Sequence, residues 1–127
     1  MEIMDGLIVK QPFGDLIIDG KKTWELRSKS APKKKLNREI LLLSSGFALG
    51  KIKIKKCFEA NKKEIIANQK KHKSNINGLI DENYFHVWEV NVIEKFSKPK
   101  KYSHPLGARI WVKNVDYKKQ VTLSHFF

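Results

Sequence analysis

Gly20-Lys21-Lys22-Thr23-Trp24-Glu25-Leu26-Arg27 sets the frame for the whole chain. Upstream of it, Phe13, Leu16 and Ile17 recur at helical spacing, and Gly20 supplies the left-handed residue that ends such a helix. A strand from Lys22 to Arg27 then starts at once. Alternation across a strand puts Glu25 and Arg27 on one face, with Thr23 beyond them, and leaves Lys22 at the strand's mouth. One acid between two bases has two physical readings. It is an exposed ion-pair ladder, worth little in water, or the polar floor of a small pocket. Residue chemistry alone favours the ladder, because charged clusters are usually solvated faces.

The flanking residues shift that balance. Gly-x-Lys-x-x-Glu-x-Arg, preceded by Lys10-Gln11-Pro12-Phe13-Gly14-Asp15-Leu16-Ile17-Ile18-Asp19, resembles the signature of the ASCH domain. This is the activating-signal-cointegrator homology family, related in fold to PUA domains. Its members open with a strand, then a Gln-Pro-aromatic helix start, then this turn, and Leu7 to Arg27 follows that order without a gap. Gly107-Ala108-Arg109-Ile110-Trp111-Val112 resembles the family's closing strand. The resemblance implies a small, mostly antiparallel β-barrel flanked by helices. It also implies that the turn looks into a cleft for a nucleotide or modified base, which places the pocket above the ladder. Glu25 would accept from a base amino group, while Lys22 and Arg27 would hold phosphate or a base carbonyl. By the same topology Lys10, Gln11 and the strand end at Ser44-Ser45 enter the neighbourhood.

Two enzymatic readings come with the family. One branch is an amidohydrolase acting on acetylated cytidine, with a lysine and a threonine at this turn and a distant glutamate. Here Glu25 stands where that branch carries threonine, and the second glutamate would have to be Glu89 or a neighbour. A ribonucleolytic branch would use Lys22 and Glu25 as acid and base across a phosphodiester. Nothing in the spacing demands either. A third alternative is an interaction module in a transcription or translation assembly, its basic coat meeting an acidic protein partner.

The 127 residues suffice for one domain, 1–127, with a single core. Cys57 is the sole cysteine, so no intramolecular disulfide and no multi-cysteine zinc site can form; it reads as a small apolar filler. His72, His86, His104 and His125 show no metal-ligand spacing, and no Ser-His-Asp order, phosphate loop or carboxylate pair stands out. No metal and no cofactor is expected. The sequence carries no secretory leader and no apolar run long enough to span a bilayer, so a cytoplasmic protein without a membrane partner is expected.

Charge is the strongest compositional signal. Lysine and arginine number 26 against 13 acids, a net charge of +13. Residues 21–38 hold eight bases and one acid, residues 51–73 nine and two, and residues 95–119 eight and one. Such a field attracts polyanions and weakens with salt. A lysine-rich solubility coat looks the same, and lysine is the poorer base reader. RNA, another single strand or a nucleotide is therefore the expected partner, without sequence-specific duplex reading.

In chain order, Gly6 to Lys10 reads as a buried strand and Gln11-Pro12 as a helix start. Ser28 to Asn37 reads as an exposed lysine-rich loop, either a linker or a mobile phosphate-contacting arm. Ile40 to Leu43, four apolar residues in a row, predicts a strand buried on both faces. A strand follows from Ala48 to Phe58 with a bulge at Lys55-Lys56. Asn61 and Glu64 form a capping pattern for one basic helix reaching about Lys73, anchored by Ile65 and Ile66. Ser74 to Asn83 reads as loop, Tyr84 to Phe96 as a strand with Trp88 inward, and Ser97 to Pro105 as a basic loop. Gly107 to Lys113 closes the sheet. Arg109, Trp111 and Lys113 share a face there, which suits a base stacked between cations or, the slightly better reading for Trp111, a core tryptophan with charges at its rim. Leu123 to Phe127 would cap the barrel or pack on a partner. The whole amounts to an α+β, mainly β, fold of about six strands and two helices.

Overall fold

The computed structural model describes residues 4–81 and 83–117. The strands are β1 (Gly6–Ile8), β2 (Trp24–Arg27), β3 (Ile40–Ser44), β4 (Phe47–Glu59), β5 (His86–Lys101) and β6 (Trp111–Val112). They form one six-stranded sheet, ordered β2-β5-β4-β3-β1-β6, that curls into a half-barrel. The β1–β3 pair is parallel and the other neighbours run antiparallel. The helices are α1 (Phe13–Ile18), α2 (Lys62–Ala67), α3 (Gln69–His72) and α4 (Ile76–Asp81). The mainly β, barrel-like expectation holds, with four short helices in place of two.

β3 is the spine. None of Ile40, Leu41, Leu42 and Leu43 is more than 2% exposed. Ile40 and Leu42 pack with Leu7, Val9, Ile17 and Trp88, while Leu41 and Leu43 pack on the other side with Met4, Phe96 and Val112. Each such buried side chain stabilises the fold by roughly 1.5–3 kcal/mol. Ser45 (φ 52°) and Gly46 (φ 86°) then turn the chain into β4. Two consecutive left-handed residues match the twist of a tight hairpin.

α1 stops as its sequence predicts. Gly20 has φ 76°. Its N–H donates to the Ile17 carbonyl, and the N–H groups of Lys21 and Lys22 both donate to Leu16, each at 2.9 Å. This paired closure satisfies the last carbonyls of the helix and delivers the chain straight into β2.

Five expectations are corrected. The basic helix breaks in two at Asn68, whose side chain donates to the Glu64 carbonyl at 2.7 Å and competes with the helical pattern. The Asn61–Glu64 capping box is present, but Ile65 is buried and Ile66 is not. Residues 76–81 are helical rather than loop, their start turned by the Asn75 side chain, which accepts from the Asn77 N–H at 3.0 Å. β5 runs on to Lys101 through the expected loop, because Lys100 and Lys101 pair with Ala48 and Phe47. The pairing passes from Lys95 to Lys100 while β4 moves only from Gly50 to Ala48, so Pro99 sits in a bulge that needs no N–H. At the closing strand only Trp111 and Val112 are paired, since Gly107 (φ 82°) holds a turn just before. The expected bulge at Lys55 is present between Ile54 and Lys56. Leu123 to Phe127 lie outside the described residues.

Candidate functional site

β2 carries the charged turn against β5, with Arg27 opposite His86 and Glu25 opposite Trp88. Lys22, just before the strand, is 1% exposed. Its ammonium donates to the Trp24 carbonyl at 2.8 Å and to the His72 carbonyl, and stands 3.5 Å from Glu25 Oε1. Three protons thus have three acceptors. Burial pushes the Lys22 pKa below the usual lysine range, Glu25 opposes that shift, and Arg27 adds to it. Glu25, also buried, accepts at Oε2 from Arg27 Nη2 (2.8 Å) and Nε (3.2 Å), and Nη2 donates further to the Ile8 carbonyl at 2.9 Å. The exposed ladder is excluded: this is a buried triad, in which a missing partner is expensive.

His72 holds the triad from behind. Its Nδ1 accepts from the Ser74 N–H at 3.0 Å, and its Nε2–H donates to the Ile65 carbonyl at 2.7 Å. Those two bonds define a neutral imidazole. Burial lowers the His72 pKa, the Ile65 bond opposes, and the Lys22 charge lowers it further.

In front of the triad opens a cleft of about 930 Å³. Glu25 and Arg27 lie at its floor and Phe13, Trp88 and Trp111 on its walls. Trp88 and Trp111 stack with ring centres 5.9 Å apart and planes 18° from parallel. The Arg27 guanidinium sits 5.3 Å from the Trp88 ring and the Lys35 ammonium 5.2 Å from that of Trp111. The lysine-rich loop also lines the cleft, contributing Ser28, Lys29, Ser30 and Pro32. It is pinned rather than loose. Trp88 Nε1 donates to the Lys29 carbonyl at 3.0 Å, Ala31 N–H to Cys57 Sγ at 3.4 Å, and Lys35 pairs with Asp5. Cys57, half-buried against the core, therefore serves as an acceptor as well as a filler.

A family comparison becomes meaningful with this geometry in view. The ASCH domain model matches residues 7–100. This chain belongs to the ASCH domain family. The crystal structure of a serine-to-alanine mutant of ZmASCH from Zymomonas mobilis resembles it with a TM-score of 0.54 and 14% sequence identity, over 76% of this chain and 70% of that one. At that identity the likeness is one of fold. No curated protein matches the chain.

Within this ASCH domain, Lys10, Gln11, Glu25, Arg27, Ser45, Arg109 and Trp111 all border the cleft. Lys22 and Ser44 do not. Lys22 lies behind the floor, because Trp24 and His72 carbonyls need its ammonium. Ser44 is 1% exposed and donates to the Val9 carbonyl, tying β3 to the end of β1. Gln11 borders the cleft with its amide already engaged: it donates to Asp15 Oδ1 (3.0 Å) and accepts from the Asp15 N–H (2.9 Å), capping α1. Glu89 lies off the cleft lining and pairs with Lys56 at 3.6 Å. Sequence reasoning missed Phe13, Tyr84 and Ser74, read as core, strand and loop, and it named the loop of Ser28, Lys29 and Ser30 only as a linker or a phosphate-contacting arm. No motif marks them; only the path of the chain brings them together. Among the described residues no group of side chains could hold a metal ion, and no helix is long and apolar enough to cross a membrane.

Proposed function

We propose that this ASCH domain binds RNA, or a nucleotide, by taking a base into the cleft and holding the phosphate at its mouth. One observation carries the reading: the charges at the floor are paired and buried, while those at the mouth are not. Glu25 is paired with both Lys22 and Arg27, so the floor offers directional hydrogen bonds and carries one net positive charge. Glu25 Oε1 has Lys22 at 3.5 Å as its partner and keeps acceptor capacity for a base amino group. Lys10, Lys29 and Arg109 border the cleft, and their side chains have no partner among the described residues. A polar floor under apolar walls with free cations outside matches the chemistry of a base and its phosphate. The volume of about 930 Å³ falls in the range of small-molecule sites.

The test is single-stranded RNA binding across a salt series, for wild type, Glu25→Gln and a Lys10→Ala/Lys29→Ala/Arg109→Ala triple variant. The reading expects lost affinity in Glu25→Gln and a shallower salt dependence in the triple variant. Equal binding by all three would assign the interaction to the lysine coat and end the cleft reading. Acetate release from N4-acetylcytidine, or RNA cleavage, that Glu25→Gln abolishes would put an enzyme in the cleft instead.

A further inference from the structure

We infer that Tyr84 is the ring on which the bound base stacks, and that Trp88 and Trp111 are load carriers of the wall rather than stacking platforms. This rests on the nucleotide reading above and says which residue grips the base. Single-strand binders hold bases chiefly through an open aromatic face, so the question is which ring in the cleft has one. Trp88 has Trp111 stacked on it and the Arg27 guanidinium over it; Trp111 has Trp88 and the Lys35 ammonium. A near-parallel indole and a cation thus crowd each of these two rings. Both cations are themselves held, Arg27 by Glu25 and the Ile8 carbonyl and Lys35 by Asp5. Displacing either to admit a base would break a buried or half-buried ion pair. Phe13 carries the Lys22 ammonium 4.9 Å from its ring centre, and that lysine cannot move.

Tyr84 differs in its partners. Like Phe13 and Trp111 it borders the cleft and is half-buried, but it has no ring or cation partner among the described residues. It packs against the cluster of Trp24, Leu26, Ala60, Ile65 and Val87. Its backbone is also fixed: Asn83 is left-handed (φ 59°), and the Phe85 carbonyl accepts from the Ala60 N–H at 2.8 Å. Two residues later His86 pairs with Arg27, so the ring stands beside the floor of the triad. A ring held from behind and open in front is what stacking requires.

The probes are single-stranded homopolymers of each base, about 12 nucleotides long, at a salt concentration high enough to suppress the lysine coat. Tyr84→Ala is expected to weaken binding about tenfold or more, and Tyr84→Phe to bind within about twofold of wild type, since stacking needs the ring and not the hydroxyl. In the wild type, tyrosine-ring to base-proton contacts in NMR, assigned by their loss in Tyr84→Phe, are expected at saturation, which keeps the test open should Tyr84→Ala unfold. Wild-type affinity in Tyr84→Ala, or no such contacts, with Glu25→Gln still impaired, overturns the stacking role and leaves the cleft reading standing. Wild-type affinity in both Tyr84→Ala and Glu25→Gln, or no RNA bound by wild type, overturns both.

Discussion

The floor and the mouth of the cleft use the same residue types under opposite physical conditions. At the floor Glu25, and just behind it Lys22, are almost fully buried and locked to each other, to Arg27 and to backbone carbonyls. At the mouth Lys10, Lys29 and Arg109 have side chains without partners among the described residues. A buried charge is a structural commitment, because removing its partner leaves an uncompensated group away from water. An exposed charge contributes little to folding and remains available to a ligand. The difference separates stability from binding within one cleft, and that separation can be measured.

The largest expected effect is at Lys22. Lys22→Ala leaves the Trp24 and His72 carbonyls short of a donor and removes a partner of Glu25; urea unfolding should show a loss of about 3–5 kcal/mol. A loss below about 1 kcal/mol would make the floor no different from the surface. Glu25→Gln keeps the shape but sets two cations against each other, with an expected loss of about 2–3 kcal/mol alongside impaired RNA binding.

Acid probes the floor from behind. The His72 pKa lies below its ordinary value of 6.5, through burial first and the Lys22 charge in addition. The folded state therefore favours neutral imidazole, and the unfolded chain takes up protons sooner. The stabilisation is fully present above pH 6.5 and is lost as the pH falls from there through the folded-state pKa. Urea midpoints recorded down this range should fall for wild type and fall less for His72→Gln; parallel profiles would remove His72 from the account.

The smallest effect on folding, and the sharpest on binding, belongs to the mouth. Alanine at Lys10, Lys29 or Arg109 should change stability by no more than about 0.5 kcal/mol. Each that touches phosphate should reduce the slope of log affinity against log salt by about 1. Stability losses at the mouth comparable to Lys22→Ala would erase the contrast.

Some of this was readable residue by residue. Four consecutive apolar residues at Ile40 to Leu43 can be satisfied only between two packed layers, and they are. The stop at Gly20 and the Asn61–Glu64 box are local hydrogen-bond patterns, complete within a few residues, and both are present. The Gly-Lys-Glu-Arg turn marked the family and the order of its elements. Less was readable of the site. The same pattern that puts Glu25 and Arg27 on one face was consistent with a solvated ladder, and it left Lys22 at the strand's mouth.

What the sequence by itself determined are the features whose partners are near in the chain: alternation, caps, turns and the buried spine. What only the tertiary structure decided is which charges lose water. Lys22 is buried because the His72 carbonyl arrives from 50 residues away, and Trp88 is closed off because Trp111 comes to lie on it from another strand. The loop from Ser28 became a wall through Asp5, Cys57 and Trp88, none of them adjacent to it in sequence. Burial depends on every element packed around a group, and no local pattern encodes that sum.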